Sequence, residues 1–145
     1  MLKVLVTGAN GFVGSHIVET MLEKKYEVSC MVRKSSDLSW IKTLPVSFKY
    51  GDFSDADFLE NCVKDADITI HCAGCVRAFG RRDYFTINTE YTKNLCNAVL
   101  KANPGMKKFI FISSQAAMGP GRAGAFRKVE EEENPVPAGD RKSVV

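Results

Sequence analysis

Short apolar runs alternate with amphipathic stretches through most of the chain. Leu2 to Val6 is an apolar run that ends in glycines, the signal of a buried strand. Val13, Ile17 and Met21, with Val18 and Leu22 beside them, form an apolar face at helical spacing. Val28 to Val32 reads as a second strand, and Leu38 to Ile41 as a short helix stopped by Pro45. Val46 to Tyr50 is a third strand, Ala56 to Val63 a helix, and Ile68 to Cys72 a fourth strand. Tyr91, Leu95, Ala98, Val99 and Ala102 mark a longer helix that ends near Pro104-Gly105. Phe109 to Ile112 is a fifth strand. Strands interleaved with helices predict an α/β fold, a doubly wound parallel sheet with helices on both faces. Right-handed crossovers wound from the middle outward give the strand order 3-2-1-4-5.

The pattern stops after Ser114. Residues 119 to 139 hold Gly119, Gly121, Gly124, Gly139, Pro120, Pro135 and Pro137, with no periodicity. The reading is therefore an ordered domain over 1–118 and a poorly ordered or incomplete segment over 119–145. A chain of 145 residues, 45% hydrophobic, can bury a real core without metal or disulfide staples. No apolar run approaches the ~18 residues of a membrane span. Met1 to Val6 passes straight into Thr7-Gly8 without the pattern of a secretory signal, so a cytoplasmic setting is expected. Cys30, Cys62, Cys72, Cys75 and Cys96 are an odd number, which suits reduced thiols. The net charge of +3 comes from scattered pairs such as Lys24-Lys25 and Arg81-Arg82, which gives no stripe for nucleic acid. The acidic run Glu130–Glu133 suits solvent.

The strongest motif is Thr7-Gly8-Ala9-Asn10-Gly11-Phe12-Val13-Gly14, placed between the first strand and the first helix. That is the context a dinucleotide fingerprint requires. Gly8 permits the tight turn, Gly11 lets the backbone approach a pyrophosphate, and Gly14 lets the helix pack against the strand. The phosphates would sit at the helix N-terminus, where free N–H groups and the macrodipole favour negative charge. The alternative is a glycine-rich turn without a ligand. The second strand ends in Arg33-Lys34, where an acidic residue would accept the ribose hydroxyls of NAD. The planar fork of Arg33 suits a 2′-phosphate and Lys34 adds charge, which favours NADP over NAD. The alternative there is a strand that merely ends in solvent.

The spacing of the glycines resembles the extended short-chain dehydrogenase/reductase family, also called the NAD-dependent epimerase/dehydratase family. Further residues match in order over residues 1 to about 120. Gly51-Asp52-Phe53 is similar to the family's adenine contact, and His71-Cys72-Ala73-Gly74 to its loop along the cofactor riboses. Asn88 to Leu95 resembles its long central helix, and Phe109 to Ser114 its fifth strand. The resemblance implies a Rossmann fold. It also implies cofactor contacts from Thr7, Gly8, Asn10, Gly11, Phe12, Val13, Gly14, Arg33, Lys34, Asp52, Phe53, Cys72, Ala73, Gly74 and Asn88.

In the family, a serine after the fifth strand works with a later Tyr-x-x-x-Lys. The tyrosine is the general acid or base, and the lysine lowers its pKa. Ser114 fits the serine slot and would donate to the substrate oxygen. The alternative is that Ser113 and Ser114 only satisfy backbone at a strand end. Asn134-Pro135-Val136 resembles the segment before the pair, which puts Asp140 in the tyrosine slot and Val144 in the lysine slot. Asp140 ionises far below neutral pH and Val144 carries no charge, so the family mechanism carries over only as far as Ser114. Three explanations are open: a fragment of a longer enzyme, a damaged or divergent end, or a short cofactor-binding protein without the reaction.

By resemblance, the intact activity is hydride transfer with NADP or NAD on a small molecule. The substrate would be a sugar nucleotide, a hydroxysteroid-like or flavonoid-like alcohol, or another carbonyl compound. A non-catalytic NADP-binding sensor or partner-binding module is the alternative, and family members are often homodimers. Cys72 and Cys75 beside His71 have CxxC spacing, for which a redox or metal role is the minor reading. Trp40 and Phe48 are expected as core or packing residues rather than a stacking platform, and Arg77, Arg81 and Arg82 on a solvated loop, with an approach to the cofactor or a phosphorylated substrate as the alternative.

Overall fold

A computed structural model describes residues 1–75 and 81–114. Five strands form one parallel sheet in the order β3-β2-β1-β4-β5: β1 (Lys3–Thr7), β2 (Glu27–Val32), β3 (Ser47–Tyr50), β4 (Ile68–His71) and β5 (Lys108–Phe111). The helices α1 (Phe12–Glu23), α2 (Ala56–Val63), α3 (Arg81–Phe85) and α4 (Tyr91–Ala102) connect them, with a π-helical turn at Thr86–Glu90. The register runs Thr7 beside Met31 on one side and Thr7 beside His71 on the other.

Strand alternation sorts the core into two layers. Val4, Val6, Val28, Cys30, Val32 and Ile70 face one side and pack with Val18 of α1 and with Ile41. Leu5 and Met31 face the other side and pack with Leu59, Cys62 and Val63 of α2 and Leu95 and Ala98 of α4. Beyond α1 on the first side, Ile70, Ile110 and Ile112 line an apolar groove with Val13, Ile17 and Met21. Burial pushes the Cys30 thiol up to about 12 and the Cys62 thiol to about 11, so both behave as core hydrophobes rather than nucleophiles. Cys30, Cys62 and Cys96 are free thiols.

The chain groups into two units. The first holds Met1–Ala73 and Tyr91–Ile112, which carry the whole sheet with α1, α2 and α4. The second holds Gly74–Glu90 and 113–145, where the described parts include α3 and the π-helical turn. The proposed boundary at residue 118 lies outside the described residues, as do Arg77, Glu130–Glu133, Asp140 and Val144.

Two expectations need correction and a third, for Trp40, is narrowed to surface packing. Leu38 to Ile41 is a set of turns, closed by Ile41 N–H to Leu38 O at 2.9 Å and Leu44 N–H to Ile41 O at 3.1 Å. Asp37 takes both the N–H and the hydroxyl of Ser39, at 2.9 and 3.1 Å, and such local bonds compete with a helix. Trp40 is 53% exposed and meets Phe12 edge-on at 5.8 Å, whereas Phe48 packs against the core as expected. Arg81 and Arg82 open α3 rather than lying on a loop.

The end of α1 has a cost that a substitution exposes. Tyr26 N–H reaches Met21 O at 3.1 Å and Lys25 N–H reaches Leu22 O at 2.8 Å, the two bonds of a Schellman cap. Lys25 closes it at φ +60°, the left-handed conformation that glycine adopts without steric cost. Lys25→Gly is expected to raise stability by roughly 0.5–1 kcal/mol. Urea denaturation measures it, and a loss of stability would contradict the assignment.

Candidate functional site

The site begins where β1 ends. Thr7 is wholly buried, and Gly8 follows it at φ +68°. A Cβ on Gly8 would lie 2.6 Å from Ala73 N and 2.8 Å from both Ala73 Cα and Cys72 C. Glycine is thus demanded twice at position 8, by the backbone angle and by the chain leaving β4. Gly11 N–H then donates to Gly8 O at 3.1 Å, and Ser15 N–H to Gly11 O at 2.9 Å, which turns the loop into α1. Inside α1, a Cβ on Gly14 would lie 2.0 Å from Gly8 O and 2.9 Å from Ala9 Cα. Gly14 therefore makes room for the loop itself.

Gly11 is different. A Cβ there would meet only Gly8 O, at an ordinary 3.4 Å, and its backbone is at φ −84°. Nothing among the described residues requires glycine at this exposed position. As the N-cap it gives α1 no side-chain hydrogen bond, and the first turn holds no acidic residue. The first-turn N–H groups, on Phe12, Val13 and Gly14, have no carbonyl four residues back within the helix. An open glycine beside an uncapped helix start fits a phosphate group that needs close backbone approach. Phe12 and Val13 are 66% and 50% exposed at that start, and Asn10 is half-buried.

At the neighbouring strand ends, Val32 of β2 pairs with Tyr50 of β3, and Gly51 N–H donates to Val32 O at 3.1 Å. Arg33 and Asp52 thus leave adjacent strands. Asp52 Oδ1 accepts the Ser54 N–H at 2.9 Å and the Ser54 hydroxyl at 2.7 Å. Those bonds, with a smaller contribution from the Arg33 charge, hold its carboxyl below the usual range. Arg33 and Lys34 are both exposed. Arg33 N–H donates to Ser36 Oγ at 3.1 Å, and Ser36 N–H returns to Arg33 O at 3.0 Å, which fixes the turn. Phe53 stacks on Tyr91 with centroids 5.3 Å apart, and its carbonyl accepts from Asn94 Nδ2 at 3.0 Å.

The chain leaving β4 carries a buried hydrogen-bond column. His71 Nδ1 pairs with Thr7 Oγ1 at 2.6 Å, and His71 Nε2 with Thr92 Oγ1 at 2.9 Å. Ala73 N–H donates to Thr7 Oγ1 at 3.3 Å, and Cys72 N–H to Thr7 O at 3.2 Å. Thr7, Cys72 and Ala73 therefore hold the glycine turn rather than simply bordering it. Both imidazole nitrogens are engaged inside the core, which removes His71 as a metal ligand beside Cys72 and Cys75. Among the described residues no cluster of three metal-ligating side chains occurs. Sequence reasoning did not find Thr92. Its signal is a threonine in the first turn of a helix whose next turn buries Leu95.

Gly74, Asn88 and Ser114 belong to the second unit. Asn88 is buried; its Oδ1 accepts the Cys75 N–H at 2.8 Å and its Nδ2 donates to Cys75 O at 3.1 Å. Its amide is thereby committed to shaping that segment. Gly74 is exposed, and Ser114 is half-buried three residues beyond β5.

Gly14 and Gly11 should separate by stability alone. Gly14→Ala drives a methyl into the Gly8 carbonyl and is expected to cost about 3 kcal/mol or more. Gly11→Ala should leave urea stability within about 1 kcal/mol of the parent chain. Equal losses at both positions would contradict the assigned roles.

Comparison with known proteins bears on this geometry. The profile of the NAD dependent epimerase/dehydratase family matches residues 4–140. The 3-beta-hydroxysteroid dehydrogenase of Mycolicibacterium neoaurum is 32% identical over 124 residues, covering 80% of this chain and 33% of that protein. The UDP-glucuronic acid 4-epimerase of Bacillus cereus, solved in complex with NAD, is 28% identical with a TM-score of 0.76, over 97% of this chain and 48% of that one. The UDP-Glc/GlcNAc 4-epimerase of Campylobacter jejuni is 25% identical with a TM-score of 0.84, over 98% and 45%. The chain spans about a third of the length of the curated relatives it matches. A parallel sheet in the order 3-2-1-4-5, its glycine turn at the start of α1 and a profile match over nearly the whole chain agree: the protein belongs to the NAD-dependent epimerase/dehydratase family.

Proposed function

We propose that residues 1–118 form the dinucleotide-binding domain of an NAD(P)-dependent enzyme of this family. The observation that carries the reading is Gly11, a glycine the fold does not need, at the uncapped start of α1. Phosphate would be held by the N–H groups of the loop and of the first turn, Asn10 to Gly14. Thr7, Gly8, Cys72 and Ala73 would form the floor beneath it. Gly74 and Asn88 would border the riboses, and Asp52 and Phe53 would take the adenine. Arg33 and Lys34 would bind a 2′-phosphate, which favours NADP over NAD. Asp52 sits close enough to feel the Arg33 charge, so part of that charge is already offset. The preference for NADP should accordingly be moderate.

The bound dinucleotide would supply the hydride acceptor or donor. Ser114 would donate a hydrogen bond to the substrate oxygen. The names of the relatives support an alcohol or carbonyl substrate of the hydroxysteroid or sugar-nucleotide class. A second reading, dinucleotide binding without turnover, is supported by Asp140 and Val144 in the slots of the tyrosine and lysine.

Fluorescence titration of the 145-residue chain with NADPH and NADH tests the cofactor reading. NADPH should bind severalfold more tightly, and Arg33→Asp should reverse the order. Gly11→Ala should weaken both by about tenfold or more, since each lost phosphate contact is worth of order 1–3 kcal/mol. Tighter binding of NADH by the parent chain would overturn the NADP preference. Absence of any binding would overturn the reading altogether. Turnover of steroid or sugar-nucleotide substrates separates the enzyme from the binding module.

A further inference from the structure

We propose that His71 is a positioning residue for the dinucleotide site, tying the phosphate loop and the adenine segment to one buried imidazole. The inference rests on the cofactor reading above and adds a residue to it. His71 is 0% exposed and sits at the end of β4, directly beside Thr7 in the sheet. Through Nδ1 it holds Thr7 Oγ1 at 2.6 Å, one residue before the left-handed Gly8. Through Nε2 it holds Thr92 Oγ1 of α4 at 2.9 Å. Its ring faces Phe53, the proposed adenine contact, with centroids 5.6 Å apart, and Phe53 is itself stacked on Tyr91 of α4. One side chain thus touches the end of β1, α4 and the segment after β3.

A neutral imidazole accommodates both threonine bonds. A neutral imidazole offers one donor and one acceptor. Thr7 Oγ1 accepts the Ala73 N–H, leaving its hydroxyl proton for His71 Nδ1, while Nε2–H donates to Thr92 Oγ1. The opposite tautomer serves the same two bonds, with Nδ1–H donating to Thr7 and Nε2 accepting from Thr92. Either way Thr7 Oγ1 is clamped from both sides, by the imidazole and by Ala73. That clamp sets how closely Gly8 lies on Cys72–Ala73, a gap that leaves no room for a single methyl group. A small relaxation there moves the loop N–H groups that would meet phosphate.

Paired substitutions distinguish positioning from simple core packing. His71→Asn keeps an amide near Nδ1 and can hold Thr7, whereas His71→Gln places its amide near Nε2 and can hold Thr92 alone. Thr7→Ser keeps the hydroxyl, and Thr7→Val removes it at constant shape. Each variant of the full chain is measured for urea stability and for NADPH affinity. The expectation is that His71→Asn and Thr7→Ser bind within about threefold of the parent, while His71→Gln and Thr7→Val lose about tenfold or more. Affinity is compared at temperatures where every variant is folded, and the Thr7 pair stands if a His71 variant fails to fold. If all folded variants bind alike, or binding falls only in step with stability, the positioning role is overturned while the cofactor reading stands. If the parent chain binds no dinucleotide, the cofactor reading fails and takes this role with it.

Discussion

The structure depends on one close approach. The backbone of Gly8 lies against Cys72–Ala73 on one side, and Gly14 lies against Gly8 on the other, with no space for a Cβ at either glycine. The glycine turn and the start of α1 are thereby pressed into one layer with a segment distant in sequence, at the carboxyl ends of β1 and β4. Parallel strands deliver their carboxyl ends to the same edge of a sheet, and the crossovers decide which ends become neighbours. Here β1 is central, so the loop that follows it is flanked by the ends of both β2 and β4. The apolar layers formed by Val4, Val6 and Val28 on one face and Leu5, Leu59 and Leu95 on the other hold those strands fixed. The loop then inherits a rigid base.

That base explains why chemistry gathers at this edge. The start of α1 faces it without a cap or an acid, so its dipole is uncompensated there. Arg33 and Asp52 reach it from β2 and β3 as an exposed cation beside a carboxylate kept ionised by Ser54. The His71 column lies beneath, and hydroxyl, imidazole and amide groups satisfy one another inside an otherwise apolar layer. Most buried polar groups are paired in this way, and Thr69 Oγ1 of β4 is the exception among the described residues.

Much of this was legible in the sequence, for physical reasons that vary by element. The strands are short apolar runs bounded by glycine or charge, and a parallel sheet buried on both faces produces such runs. The helix Ala56–Val63 lies where the sequence predicts it, and the structure shows Asp55 capping it by accepting the Phe58 N–H at 2.9 Å. The glycine roles followed from spacing, yet the distinction between Gly14 and Gly11 did not. It requires knowing which atoms lie within reach of an absent Cβ. Leu38 to Ile41 forms turns rather than the expected short helix, because apolar spacing cannot register the side-chain bonds of Asp37. Trp40 reads as a core or packing residue, and it takes the second role, against an exposed Phe12. Thr92 escaped because a lone threonine carries no pattern until β4 and α4 bring it beside His71.

The central claim is that the start of α1 receives the phosphates of a dinucleotide. Amide NMR spectra of the nitrogen-labelled chain, recorded during titration with NADP, test it most directly. The account predicts the largest shifts at the N–H groups of Gly11, Phe12, Val13 and Gly14, with the C-terminal turn of α2, near Cys62 and Val63, unmoved. Saturable shifts that leave the α1 start unchanged and cluster elsewhere would contradict it.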